Sequence, residues 1–170
     1  IQQNTLTNDS NPNYQITYVG NTFTINRIAQ ATLTVTTTSK TYAVDLTLQT
    51  DGGTGDGAVT YSLSNNLAGC SIVGNILSST GVAGTTCKVT ATKAQSTNYL
   101  EISSAATTIT VASRQITVTA DSKSKYYGDN DPSLTYTITS GALASGESLS
   151  GALSRASGND QGTYQIQAGT

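Results

Sequence analysis

The sequence predicts an all-β fold from its composition, its alternation pattern and the spacing of its turns. Thr and Ser dominate almost every segment, 16 of the 170 residues are Gly, and charged residues make up 11% of the chain. Thr, Val, Ile and Tyr favour strands because branched or flat side chains pack on a pleated surface, whereas Gly and Asn favour turns. Turns recur about every ten residues, as in a β-sandwich. No segment has a sustained helical period.

The predicted strands follow one another from the beginning of the chain. A compact turn signal between two alternating runs predicts an opening hairpin, formed by Tyr14-Ile16-Tyr18, Gly20-Asn21 and Phe23-Ile25. The next strands have one apolar and one polar face; they are Leu33-Val35, Tyr42-Val44-Leu46-Leu48, Val59-Tyr61-Leu63, Cys70-Ile72 with Ile76, Cys87-Val89-Ala91 and Ile109-Val111. The glycine-rich segment 51–57 is predicted as a flexible turn.

After Arg114 the pattern changes, because Gly- and Ser-rich segments at 140–151 and 156–162 separate the runs. The strands expected here are Ile116-Val118-Ala120, Leu134-Tyr136-Ile138 and Tyr164-Ile166. We therefore predict a complete module at 29–113, the first part of another module at 114–170, and a closing hairpin of that second type at 1–28.

The two ends of the chain resemble one another. Ile166-Gln167-Ala168-Gly169-Thr170 aligns with Ile1-Gln2-Gln3-Asn4-Thr5. We expect the chain to be one period of a longer repeat, in which another copy or more chain completes a divided sheet. The residues predicted to pair between repeats are Tyr14, Ile16, Tyr18, Phe23, Ile25, Ile116, Val118, Tyr164 and Ile166.

Composition also excludes several classes of function. The chain has no His, Met or Trp, so the commonest general base and imidazole metal ligand are missing. A net charge of −2 offers no basic stripe for nucleic acid, and the longest apolar runs fall far short of the ~20 residues that span a bilayer. A hydrolase elbow and a phosphate-binding loop are also missing. We expect no enzyme, no cofactor, no nucleic-acid partner and no membrane-spanning segment.

Segment 114–170 resembles the YGD-containing MBG modules that are repeated in large bacterial surface adhesins. The resemblance is carried by Arg114–Ala120, Lys125–Pro132, Leu134–Tyr136, Gly146–Gly151 and Gly162–Tyr164. In those modules an Asn-Tyr-x-Ile/Leu hairpin closes the fold, and here Asn13-Tyr14-Gln15-Ile16 stands at the front of the chain. This order supports a module that is split across the chain ends.

Segment 29–113 is similar to bacterial immunoglobulin-like repeats, through Gly57–Leu63, Gly69–Ile72, Cys87–Ala94 and Asn98-Tyr99. Together the two resemblances imply an extracellular, cell-surface or secreted structural protein of tandem modules, as in adhesins, stalks and filaments. They imply a load-bearing spacer with head-to-tail copies as partners. They do not identify a ligand.

In such a compartment the two cysteines, Cys70 and Cys87, are expected to form a disulfide, because oxidising surroundings favour it and two thiols without His cannot build a closed zinc site. Asp129-Asn130-Asp131 has two interpretations. It is either a calcium site, although the usual loop spacing is missing, or an Asx-type turn. An isopeptide bond from a lysine to an Asn or Asp needs a buried triad that includes a carboxyl, which Glu101 or Glu147 could supply. The lysines at 40, 88, 93, 123 and 125 are expected mostly on wet faces.

The tyrosines, nine of the ten aromatic residues, also allow two interpretations. A stacked platform would bind sugars, whereas in-phase placement with Val, Ile and Leu favours core packing; the residues in question are Tyr18, Tyr42, Tyr61, Tyr99, Tyr136 and Tyr164. A carbohydrate-binding adhesive module, or an accessory module of a secreted enzyme that binds surface or host glycans, is therefore the alternative to the structural spacer. It predicts a shallow groove with exposed tyrosines or a metal, whereas the structural interpretation predicts a plain polar surface and repetition along an axis.

Overall fold

A computed structural model describes residues 4–65 and 69–169, and throughout these ranges the chain forms strands, turns and loops without a helix. The all-β fold class is confirmed. No helix with the length and apolar character needed to cross a membrane occurs in these ranges.

Ten strands form the first part of the chain. They are β1 (Leu33–Val35), β2 (Ser39–Thr41), β3 (Leu46–Thr47), β4 (Thr50–Gly52), β5 (Val59–Asn65), β6 (Cys70–Val73), β7 (Ile76–Ser79), β8 (Thr86–Lys93), β9 (Ile102–Ser103) and β10 (Thr107–Ala112). One sheet has the order β2-β10-β8-β5 with β9 also on β8, a second has the order β3-β7-β6, and β1 pairs with β4. The β2–β10 pair is parallel, whereas the other pairs are antiparallel.

The two larger sheets share one hydrophobic core. Its buried members come from both sheets and the loop between β3 and β4: Leu48, Cys70, Leu77, Cys87, Val89 and Ile109. A second cluster consists of Leu33, Val35 and Ala91. Strand β8 belongs to both clusters because Cys87, Val89 and Ala91 project from one face at the two-residue period of a strand.

The structure corrects two details of this part. The predicted strand at 42–48 is shortened to Leu46–Thr47, because the chain turns between Thr41 and Val44. Val44 N–H donates to Thr41 O at 3.2 Å, and Ala43 has a φ of 53°. Lys40 is 2% exposed, so its expected place on a wet face was wrong. Its amino group is satisfied internally, by backbone carbonyls of the turn that follows it.

The last part of the chain contains two separate hairpins. Strands β11 (Thr117–Ala120) and β12 (Tyr136–Ser140) form one, and β13 (Leu153–Arg155) and β14 (Ile166–Ala168) form the other. None of residues 112–169 is buried. These hairpins therefore present half-covered faces and share no closed core, in contrast to the first part of the chain.

The hairpin predicted around Gly20-Asn21 is not formed in the single chain. Residues 11–27 contain no strand, and Tyr14, Val19, Phe23 and Ile25 are 73–84% exposed. An isolated two-stranded hairpin is marginally stable in water unless a third strand or a packed face supports it. Pairing of this segment with another copy stays a prediction, and Ile1, Gln2, Gln3 and Thr170, which belong to the end-to-end match, lie outside the described residues.

Candidate interaction cleft

A cleft of about 530 Å³ lies in the C-terminal part of the chain. The loop before β12 forms one side, with Tyr126, Tyr127 and Leu134, and the segment leading into β14 forms the other, with Tyr164 and Ile166. Because the two hairpins share no closed core, their apolar side chains are open to solvent along this cleft. It is therefore the place in the second module where additional chain could be buried.

An ion cluster holds the two sides of the cleft together. Arg155, at the end of β13, donates from Nε to Asp131 Oδ2 at 2.8 Å and from Nη2 to Asp131 Oδ1 at 3.1 Å. Lys125 Nζ lies 2.8 Å from the same carboxylate. Bidentate guanidinium–carboxylate pairing fixes orientation as well as distance. The cluster therefore connects the loop at 125–131 to the second hairpin.

The charges around Asp131 change its acidity. Hydrogen bonds from Arg155, and then from Lys125, lower the pKa of the Asp131 carboxyl to about 2, because they stabilise its ionised form. The same pair raises the pKa of Arg155. The cluster therefore remains charged throughout the neutral and mildly acidic range.

Asp129, the first residue of the Asp129-Asn130-Asp131 stretch, closes a turn that begins at Tyr126. Tyr126 N–H donates to Asp129 Oδ2 at 3.2 Å, and Asp129 N–H donates to Tyr126 O at 3.1 Å. Lys125 Nζ also donates to Asp129 O at 2.9 Å. These contacts fit the Asx-type interpretation of Asp129, and the cations on Asp131 oppose the calcium alternative. Across the described residues, no group of three or more His, Cys, Asp or Glu side chains that could hold a metal ion occurs.

The tyrosines divide between the two expectations. Tyr61 packs against both cores and its hydroxyl donates to Leu48 O at 3.3 Å, as predicted for core packing. Tyr136 is 41% exposed, so its expected place in the core was wrong. Tyr126 and Tyr127 are more than 80% exposed beside the cleft, a feature that the alternation pattern did not indicate.

Tyr164 has a polar and a charged neighbour. The guanidinium of Arg155 lies 5.2 Å from the ring centroid, and the hydroxyl donates to Asp160 O at 2.8 Å. A cation over an aromatic face is attracted by the ring quadrupole. Arg155 thus contacts both Asp131 and Tyr164, and orders this side of the cleft.

The structure brings together only some of the residues predicted to pair between repeats. Tyr164 and Ile166 line the cleft. Val118 lies in β11 and pairs with Ile138 of β12, within the first of the two hairpins. Ile116 lies just before β11. The predicted residues of the opening segment, Tyr14, Ile16, Tyr18, Phe23 and Ile25, lie outside the strands of the single chain. The roles of Lys125 and Arg155 were missed, since single charges far apart in sequence give no local signal.

The disulfide predicted between Cys70 and Cys87 is present, with Cα atoms 6.1 Å apart. It joins β6 of the three-stranded sheet to β8 of the five-stranded sheet. Both residues are buried, so the bond forms part of the first core rather than a surface clip.

The segment that holds the cleft matches a known protein family. Residues 116–170 match the family model described as MBG domain (YGX type). The predicted MBG resemblance of this segment is confirmed, and it indicates a surface-associated module of the repeat type. No curated protein and no solved structure matches the chain. The match and the disulfide are both compatible with an extracellular protein.

Proposed function

We propose that this chain is a structural repeat unit of a bacterial extracellular adhesin or filament, in which an immunoglobulin-like sandwich alternates with an MBG module. The unit is a load-bearing spacer. Neighbouring copies complete the open module by strand pairing, with residues 14–25 of one copy added to the hairpins at 117–168 of the preceding copy. The observation that carries this proposal is the lack of any buried residue from 112 to 169, beside a well-closed core in the preceding part.

Exposed apolar side chains in the opening segment and in the cleft offer two surfaces that could pack against each other between copies. Phe23 and Ile25 are 76% and 83% exposed in a segment without strands. The cleft offers Leu134, Ile166 and tyrosine rings in the other module. Burying a large apolar side chain contributes about 1.5–3 kcal/mol, and strand addition also pairs free backbone groups at a sheet edge. A head-to-tail contact of this kind propagates rather than closes.

A tandem protein of two copies tests the proposal. If the second copy completes the first, backbone amides of β14 in the first copy exchange with solvent more slowly in the tandem than in the single chain. Phe23→Ser with Ile25→Ser in the second copy abolishes that protection. Val73→Ser with Val82→Ser is the control, because it removes exposed apolar side chains from the sandwich. Equal exchange rates in the tandem and the single chain contradict the proposal.

The exposed tyrosines favour a second candidate, glycan binding at the cleft. Tyr126 and Tyr127 present 85% and 82% of their surface beside the charged pair of Arg155 and Asp131. Aromatic faces and fixed polar groups together suit a sugar ring. A panel of surface glycans tests this candidate: binding that is lost in Tyr126→Ala and retained in Tyr14→Ala supports it, and no binding to the single chain opposes it.

A further inference from the structure

We infer that Tyr42 of the sandwich and Glu147 of the second module form a joint that fixes the orientation of one module against the other. The Tyr42 hydroxyl donates a hydrogen bond to Glu147 Oε1, across 105 positions of sequence. This inference concerns the geometry within one chain and goes beyond the proposed pairing between copies.

The sandwich side of the joint is a turn attached to the point where the chain leaves the sandwich. Tyr42 N–H donates to Ala112 O at 2.9 Å, and Ala112 is the last residue of β10. Strand β2, which precedes the turn, runs parallel to the end of β10. The turn is therefore held directly beside the connection at 113–116, which leads into β11.

Lys40 stabilises this turn by hydrogen bonds from its buried amino group, a contact that we call the brace. Its Nζ donates to Val44 O at 2.5 Å and to Thr41 O at 3.3 Å, so one buried amino group holds both ends of the turn. Burial lowers the pKa of Lys40, and the nearby charge of Asp45 opposes that shift. Ala43 at the third position has a positive φ, a conformation that favours glycine in a type II turn. The brace offsets this backbone strain and holds the position of Tyr42.

The other side of the joint is also a turn. Glu147 N–H donates to Ala144 O at 3.1 Å, and Gly146, the third residue of this turn, has a φ of 81°. Glycine adopts that conformation without a steric penalty. The carboxylate of Glu147 is thus carried by a short turn rather than by an open loop, and it meets Tyr42 from a fixed direction.

Two attachments between the modules restrict their relative rotation more than one attachment does. The covalent connection at 113–116 would by itself allow the second module to rotate about several backbone bonds. The Tyr42–Glu147 hydrogen bond adds a second attachment, formed by a charged acceptor, which strengthens such a bond. The Glu147 carboxylate raises the pKa of the Tyr42 hydroxyl, through the hydrogen bond and through its negative charge.

Residual dipolar couplings of the ¹⁵N-labelled 170-residue chain test the joint. The wild type is expected to fit one alignment tensor for residues 30–111 and 117–168 together. Tyr42→Phe and, separately, Glu147→Ala are expected to lose the common tensor, while the couplings within each module still fit. Tyr99→Phe, which removes a hydroxyl from another half-buried tyrosine of the sandwich, is the control and keeps the common tensor.

Lys40→Met tests the brace, because methionine fills a similar volume without donating to the turn. Loss of the common tensor in this variant, with the couplings within each module still fitting, supports a positioning role for Lys40, and a retained common tensor contradicts that role. A common tensor retained in both Tyr42→Phe and Glu147→Ala overturns the joint, as does a wild type that needs two tensors. Neither result depends on pairing between copies, so the joint and the proposed function fail separately.

Discussion

Arg155 and Asp131 form a bidentate ion pair between the loop before β12 and the end of β13, with N–O distances of 2.8 and 3.1 Å. In a segment without a buried residue, this pair and the neighbouring Lys125 connect the loop at 125–131 to the second hairpin. Charge pairing holds two hairpins in place while leaving their apolar faces available.

The acidity of Asp131 gives a pH prediction. Its pKa is about 2 in the folded chain, below the ordinary value of 3.8, so the stabilisation that it contributes is fully present above about pH 4 and is lost as the pH falls towards 2. A ¹³C carboxyl titration should show Asp131 titrating with a pKa of about 2, well below the ordinary value of 3.8. Asp131→Asn should remove the corresponding acid-dependent step in amide exchange at β13. Asp160→Asn, in the same module, is the control, and a titration of Asp131 at the ordinary value would contradict the cluster.

The disulfide gives a stability prediction. Removing a bond that closes a loop of this length costs about 3 kcal/mol in free energy of unfolding, and the bond here spans a sequence separation of 17. Cys70→Ala with Cys87→Ala should therefore lower the midpoint of urea denaturation markedly. A reductant should have the same effect on the wild type and none on the double variant. Unchanged unfolding of the reduced wild type would count against a stabilising role.

The two modules should respond differently to truncation of a side chain. Ile109 is fully buried in the first core, and Ile138 lies half-covered on β12. Because a cavity costs most where neighbours cannot relax, Ile109→Ala should lower the free energy of unfolding of the sandwich by about 2–5 kcal/mol. Ile138→Ala should cost the second module clearly less, as measured by amide exchange within each module. Equal losses would show that the second module is as well packed as the sandwich.

Two glycines with a positive φ allow a matched test of steric space. A Cβ at Gly52 would lie 1.9 Å from Thr32 O, whereas at Gly74 it would meet nothing within 4 Å. Alanine in a left-handed conformation costs roughly 1–2 kcal/mol at either position. Gly52→Ala must also displace the backbone of the chain next to β1. We expect its melting temperature to fall well below that of Gly74→Ala, and similar values would argue against the close approach.

Local patterns accounted for much of the sandwich. The strands at 59–65 and 86–93 follow from alternation of apolar residues, since the two-residue period places every second side chain on one face. The disulfide followed from the chemistry of an oxidising compartment together with only two cysteines. The resemblance of residues 114–170 to MBG modules could be recognised from short ordered motifs, and the family match at 116–170 agrees with it.

The sequence by itself determined the fold class, most strands of the first part of the chain and the MBG resemblance of residues 116–170, because these depend on residues close together in the chain. Only the tertiary structure decided that Lys40 is buried, that Arg155 reaches Asp131 and that Tyr42 meets Glu147. It also decided that residues 11–27 form no hairpin in a single chain. The physical reason is that burial and pairing at these positions depend on distant segments or on a packed face, whose presence no local pattern of residues records.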